Sequence, residues 1–258
     1  MAEPKILIFD LETIPDLKEV MRVFPGLSDY PGRTLKASMN SVICFGYQVF
    51  GEHEDPKCMS AWDYPAWDND INDDRDLVME AREIIASADA VVTHNGKRFD
   101  WKFFQTRLMK WGLPPLHKIN HIDTCVLARQ HLHLFNNKLD TLGQFLVDDK
   151  KMDHEGWNLW VRVLNKDRDA LRKMVEYCKQ DVRLLGKVFK KMRPFITNMP
   201  NYNIEREIEQ VLCPVCGSTR VKKDGVRYVI SGRVQKYFCN DCYSHSSAGK
   251  RNIEPKTF

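Results

Sequence analysis

Apolar residues recur along this chain in two rhythms. Unbroken apolar stretches at Ile6–Phe9 and within Ala88–Thr93, and the β-rich run Ser41–Phe50, read as strands. Residues 119–125 read as a further strand, or a turn leading into a helix. Helical spacing marks the rest. Leu77, Val78, Ala81, Ile84 and Ile85 predict a helix over 74–87, with Asp73 or Asp74 available as N-cap. A turn over His94–Asp100 leads into a helix carrying Phe99, Phe103, Phe104, Leu108 and Trp111, stopped by Gly112 and Pro114-Pro115. Shorter helices are expected over 138–146 and 157–164. The longest, over 167–192, has the stripe Leu171, Met174, Val175, Cys178, Val182, Leu185, Val188, Phe189 and Met192, and Pro194 ends it.

Two stretches break the rhythm. Residues 14–38, with Pro15, Pro25 and Pro31, read as a loop with a short helix over 17–23. Residues 51–74 are acidic and rich in Trp, Pro and Asn. They read as an irregular excursion with one strand near 57–62, its acids on a solvated surface or, as a second reading, at a further metal site. A strand-rich start, then alternating strands and helices, then a helical close predicts an α/β fold with a mixed β-sheet flanked by helices. A linker over 194–207 divides the chain into domains 1–200 and 201–258.

With 258 residues, 43% hydrophobic and 29% charged, the chain can bury a core as a soluble globular protein. No run approaches the ~18 apolar residues of a membrane span. Asp10 and Glu12 interrupt the only early apolar run, so there is no secretory pattern and a cytoplasmic location is expected. The net charge of +4 is uneven. From Cys213 onward nine Lys or Arg face three acids, a net of +6, which leaves −2 for the residues before it. A basic tail on a slightly acidic body suggests a polyanion, nucleic acid in particular, although basic residues alone also make an ordinary solvated surface.

The cysteines refine the picture of the tail. Cys44, Cys58, Cys125 and Cys178 are scattered, whereas Cys213-x-x-Cys216 and Cys239-x-x-Cys242 form two matched pairs with 22 residues between them. Two tight turns that aim four thiolates at one point suit one structural Zn²⁺, closed and non-catalytic, in a small C-terminal zinc ribbon of a reduced chain. The intervening residues 220–238 are of β type around Asp224-Gly225 and Ser231-Gly232, as in a hairpin ribbon. His245 is read as a polar neighbour of the site, not a ligand. Lys222, Lys223, Arg227, Arg233 and Lys236 alternate with Tyr228, Tyr237 and Phe238. Cations beside aromatics suit single-stranded nucleic acid, while the aromatics, Phe238 above all, also suit the core of so small a unit.

Candidate chemistry in the body rests on carboxylates. Asp10 and Glu12, at i and i+2 just after an extended run, point to one side, and a divalent cation would offset their repulsion. Asp100 falls on the first turn of a helix in Asn95-Gly-x-x-Phe-Asp100, and Tyr177 and Asp181 share a helix face at i and i+4. Taken singly, each has a plainer reading: a polar loop, a helix-capping acid, a boundary Tyr with a surface Asp. Asn95 is read either as positioning substrate or the Asp100 loop, or as a turn-stabilising residue before Gly. His131 and His133, and the pair Trp157 and Trp160, read as surface and packing residues.

Taken together and in order, Asp10/Glu12, Asn95/Asp100 and Tyr177/Asp181 resemble the motifs of the DEDDy-type, DnaQ-like 3′–5′ exonucleases of the ribonuclease H-like fold. The other branch of that group has a His nearer the last Asp, where this chain has Glu176. The resemblance covers roughly residues 5–193 and includes Asp123-Thr124 and Lys138–Gly143 as connecting elements. It implies a two-metal-ion hydrolysis of phosphodiesters that releases nucleoside 5′-monophosphates. Asp10, Glu12 and Asp181 would hold the first Mg²⁺ or Mn²⁺, Asp10 would bridge to the second, Asp100 would support it through water, and Tyr177 would orient the attacking water. With an ordinary pKa of about 10, Tyr177 is a poor base at neutral pH. The family it resembles includes phage and bacterial replication or repair nucleases and also ribonucleases, which implies a replication or repair protein as a possible partner and a bacterial or phage-infected cell. Single-stranded DNA is the expected substrate, with RNA as a possible one, because nothing in the sequence recognisably reads a 2′-hydroxyl. Two other readings are a catalytically inactive nucleic-acid-binding adaptor and a ribonuclease recruited through protein contacts of the ribbon.

Overall fold

The computed structural model describes residues 5–15, 40–51, 54–153, 156–196, 211–229 and 232–247. The helix expected over 17–23 and most of the expected linker lie outside these residues. The chain divides into two compact units, one spanning Pro4–Phe189 and one comprising the chain from Lys190 onward.

The first unit is built on a five-stranded sheet: β1 (Ile6–Pro15), β2 (Asn40–Val49), β3 (Lys57–Ser60), β4 (Ala90–Thr93) and β5 (Asn120–Asp123), in the order β3-β2-β1-β4-β5. β2 lies antiparallel to β1 and β3, while β4 runs parallel to β1 and β5, so the sheet is mixed as expected. Helices α1 (Ala66–Asn69), α2 (Arg75–Ala86), α3 (Asp100–Lys110), α4 (Thr124–His131), α5 (Leu139–Val147), α6 (Trp157–Leu164) and α7 (Arg168–Met192) complete it. α4 ends at His131, which leaves His133 outside the helix.

The period of two along β1 sorts its side chains onto two cores. Leu7, Phe9 and Leu11 pack with Leu77, Val78, Ala81 and Ile85 of α2 and with Phe103, Phe104 and Leu108 of α3. Ile14 joins Leu159 and Val163 of α6 and Met174, Tyr177 and Cys178 of α7 in the second core. The helical stripe read from the sequence is thus the face that α7 turns to the sheet. Gly46 of β2 permits the close approach: a Cβ there would sit 2.7 Å from Cys178 Sγ and 3.2 Å from the Cys178 carbonyl oxygen.

β1 differs from the expectation in length. It does not stop at Phe9 but runs to Pro15, so Asp10 and Glu12 lie within the strand. The ladder to β2 sustains it, because pairing continues from Leu7↔Val49 to Pro15↔Asn40. The register shifts between Glu12 and Thr13, whose partners are Cys44 and Val42. Ile43 is the extra residue of a bulge, which is why the consecutive residues Ile43 and Cys44 both face the second core.

Asp74 is another departure. It occupies the N-cap position of α2 but makes no cap bond, and it is buried rather than solvated. Its carboxylate instead receives Arg107 of α3, Trp111 Nε1 and the Val42 amide. Another acid of the same excursion, Asp55, binds Arg183 of α7 at 2.7 and 2.8 Å.

The second unit contains an antiparallel sheet of β6 (Val221–Val229), β7 (Gly232–Cys239) and β8 (His245–Ser247), in that order. Asp224-Gly225 is an irregularity within β6, where pairing jumps between Lys223 and Val226, and Gly225 takes a φ of 75°.

Candidate active site and four-cysteine centre

Asp10 and Glu12 project from one face of β1 toward α7, which contributes Asp181 and, one turn earlier, Tyr177. Carboxylate oxygens of Asp10, Glu12 and Asp181 all lie within 4.8 Å of one another. Glu12 and Asp181 are buried, at 8% and 2% exposure. Asp100 lies outside that group but beside it, buried at the first residue of α3. The turn that delivers Asp100 hangs on Asp123, which accepts the amides of Asn95 (2.9 Å) and Lys97 (3.0 Å) and also caps α4 through the amides of Cys125 and Val126. Asn95 adopts a left-handed φ of 62°, and its carbonyl accepts the amides of Arg98 and Phe99. It therefore serves the turn, and its side of the turn also faces a cleft described below.

Electrostatics make this cluster a candidate cation site. Burial first, then the charges of Asp100 and Asp181, push the Asp10 carboxyl well above the usual range. Burial, Asp10 and Asp181 do the same to Glu12. Burial raises Asp100 to about 7, against the amides of Asp100 and Leu11, which favour its charged form. Buried, mutually repelling carboxylates are what a bound cation relieves. Their hard oxygen atoms suit Mg²⁺ or Mn²⁺, and the donor set fits. Burial and the Asp181 charge also raise Tyr177, so its hydroxyl keeps its proton. The Tyr177 ring meets Trp160 edge-on at 6.2 Å, and Trp160 Nε1 donates to the Thr13 carbonyl at 3.1 Å.

Two features went unread in the sequence. Lys151 Nζ pairs with Asp181 Oδ2 and donates to Tyr177 Oη at 3.3 Å. Burial works against its charge, but Asp181, Asp10 and Tyr177 outweigh it and hold the amine protonated. Lys151 also lines a cleft of about 640 Å³ together with His94, Asn95, Arg98, Arg129 and Lys138. His94 Nδ1 lies 2.9 Å from Thr124 Oγ1, and burial lowers its pKa to about 4, so a neutral imidazole forms part of that wall. These cations come from separate segments of the chain, so no local motif announced them.

In the second unit the Sγ atoms of Cys213, Cys216, Cys239 and Cys242 lie within 4.8 Å of one another. The 213–242 and 216–239 pairs are 3.6 Å apart. A tetrahedron of thiolates with Zn–S bonds near 2.3 Å has edges of about 3.8 Å, so Zn²⁺ fits. Each pair sits in its own turn, and the two turns have the same hydrogen-bond pattern. The Cys213 amide donates to the Ser218 carbonyl and the Gly217 amide to the Cys213 carbonyl; the Cys239 amide donates to the Ser244 carbonyl and the Tyr243 amide to the Cys239 carbonyl. Gly217 and Tyr243 occupy the equivalent left-handed position, at φ 74° and 60°. Ser244 Oγ adds a partner to Cys242 (3.0 Å) and Cys213 (3.3 Å). His245 pairs with Asp224 at 2.9 Å and stands outside the cysteine group. Lys222, Lys223, Arg227 and Arg233 are exposed and Lys236 is half-buried, with the Lys222 amine 5.1 Å from the centroid of the half-buried Phe238 ring.

The model of the family RNase_H_2, of the RNase_H superfamily, matches residues 32–193. The chain belongs to the RNase_H superfamily. The mixed sheet with helices on both faces agrees with that membership, which supports a nuclease-type fold of the kind that uses divalent metals on nucleic acid. The match begins after β1, so Asp10 and Glu12 join the site through the geometry rather than through the family model. No curated protein matches the chain. Among the described residues no helix is long and apolar enough to cross a membrane.

Proposed function

We propose that the unit Pro4–Phe189 is a metal-dependent 3′–5′ exonuclease of the DEDDy type. The observation that carries this reading is the convergence of Asp10 and Glu12 from β1 with Asp181 from α7, one turn after a buried Tyr177. Asp10, Glu12 and Asp181 would hold divalent ions, with Asp100 in support. Such ions, when bound, supply the Lewis acidity that a poor alkoxide leaving group needs and make water a better nucleophile. Tyr177, protonated, donates its hydroxyl to orient the attacking water rather than to accept a proton. Arg98, Arg129 and Lys138 in the adjoining cleft neutralise backbone phosphates, and Asn95 shapes the floor of the turn between them. In the second unit, Cys213, Cys216, Cys239 and Cys242 hold a structural Zn²⁺, and Lys222, Lys223, Arg227, Arg233 and Lys236 of this zinc ribbon help grip the strand.

One gel tests the enzyme. Single-stranded DNA and the matching RNA, labelled at the 5′ end, are incubated with Mg²⁺ or Mn²⁺ and either wild type or Asp181→Asn. A metal-dependent ladder that shortens from the 3′ end, more readily on DNA, and that disappears with the folded variant is expected. Intact strands with wild type, or an undiminished ladder with the variant, would refute the reading.

A further inference from the structure

Three acids gathered at one point, with Asp100 beside them, repel one another wherever they ionise without a metal, and the chain brings a positive charge of its own. Lys151 Nζ pairs with Asp181 Oδ2 and lies 5.3 Å from the centroid of the Tyr177 ring. Its neighbour behaves otherwise: Lys150 is 66% exposed and pairs loosely with Asp153 at 3.5 Å, whereas the Lys151 side chain is 31% exposed.

The loop that presents Lys151 is fastened on several sides. The Lys151 amide donates to Asp140 Oδ1 of α5 at 3.0 Å. Lys187 of α7 holds Asp149 Oδ2 at 2.6 Å, and Gln180 Nε2 donates to the Lys150 carbonyl at 3.5 Å. The chain enters through Asp148 at a left-handed φ of 51°. Gly143 makes room, since a Cβ there would sit 2.7 Å from the Asp149 carbonyl oxygen. A fixed backbone with a long, flexible, monovalent head is suited to a cation that must hold a site and then leave it.

We propose that Lys151 is a built-in counter-ion of the acid cluster, which holds Asp181 in the metal-free enzyme and yields it when divalent ions bind, its ammonium swinging into the cleft it already lines. The proposal rests on the metal-site reading of Asp10, Glu12 and Asp181 given above. An ammonium and a divalent ion on one buried carboxylate repel each other strongly. Whatever stabilises the metal-free state through Lys151 is therefore subtracted from metal affinity. In the cleft the released ammonium would join Arg98, Arg129 and Lys138 as a fourth positive charge for the phosphates of a nucleic-acid strand.

The test measures Mn²⁺ binding by electron paramagnetic resonance, without nucleic acid, in wild type, Lys151→Met, Lys151→Arg and Asp181→Asn. Lys151→Met should bind Mn²⁺ at least about tenfold more tightly than wild type, or about 1.4 kcal/mol. It should melt below wild type without metal and level with it at saturating Mn²⁺, while Lys151→Arg stays near wild type in both. Acetylation of the wild-type lysines, read by mass spectrometry, adds a measurement that needs no variant. Lys151 should be protected without metal and become reactive at saturating Mn²⁺, with Lys150 as the unchanged internal reference. Equal or weaker Mn²⁺ binding by Lys151→Met, or protection of Lys151 that persists with Mn²⁺ bound, overturns the proposal and leaves the metal site standing. Equal Mn²⁺ binding by wild type and Asp181→Asn would overturn both.

Discussion

Replacing Asp74 by Asn should cost the nuclease-type unit far more than a neutral, near-isosteric change suggests. Asp74 is 1% exposed, and each of its oxygens takes two donors. Oδ2 receives Arg107 Nε at 2.8 Å and the Val42 amide at 2.7 Å; Oδ1 receives Arg107 Nη2 at 2.5 Å and Trp111 Nε1 at 2.6 Å. An amide has one oxygen, so either way round its NH₂ faces two donors. The Arg107 guanidinium, also 1% exposed, is left buried without its counter-charge. Removing one member of a buried pair costs about 3–5 kcal/mol. That is a large share of a typical domain stability of roughly 5–15 kcal/mol. At about 2–4 °C per kcal/mol for a unit of this size, melting should fall by roughly 6–20 °C. The assay is urea unfolding followed by tryptophan fluorescence, since all six tryptophans lie between Trp62 and Trp160 and report on this unit alone. The midpoint should drop with the slope unchanged. Arg107→Met should lose a similar amount, and Asp74→Leu with Arg107→Met less than the sum of the single changes, because no lone buried charge is then left. A loss under about 1 kcal/mol for Asp74→Asn, or additive losses, would refute the reasoning. Activity should fall as well. The pair ties Val42, at the bulge opposite Thr13, to α3, whose first residue is Asp100.

Further outcomes follow from the same geometry. Asp10, Glu12 and Asp100 are raised in the folded state, so the stability they lend is present at acid pH and is lost as pH rises through the folded-state value of each, about 7 for Asp100. Chelator-treated protein should therefore melt higher at pH 5 than at pH 8, Asp100→Asn should flatten that slope, and Mn²⁺ at pH 8 should recover the loss; a melting point that climbs with pH would contradict it. Zinc analysis of protein purified without chelator should find one Zn²⁺ per chain, and Cys239→Ser should abolish its retention and the dichroism of the ribbon strands. Gly46→Ala would push a methyl to 2.7 Å from Cys178 Sγ. It should cost about 1–3 kcal/mol and displace Tyr177 and Asp181, with slower cleavage. Cys178→Ala in the same chain should recover part of both, and no effect of Gly46→Ala on melting or rate would show that α7 is not seated on β2 as described.

Most of the framework was legible in the residues because its causes are local. The alternation in β1 and the stripe on α7 each play out within one element, where side-chain direction follows from backbone period alone. That is enough to place Asp10 with Glu12 and Tyr177 with Asp181, and two C-x-x-C turns are enough to group four thiols. Where β1 ends was not legible: the ladder to β2 carries it through both acids to Pro15, and the Ile43 bulge depends on a strand some thirty positions away. The fate of Asp74 was decided by Arg107 and Trp111, since a carboxylate is solvated or buried according to whether a distant cation reaches it. Lys151 and the cleft cations Arg98, Arg129 and Lys138 carry no pattern at all along the chain. Only the packing of α5 and its following loop against α7, permitted by Gly143, turns an ordinary Lys-Lys pair into one exposed lysine and one that reaches the acid cluster.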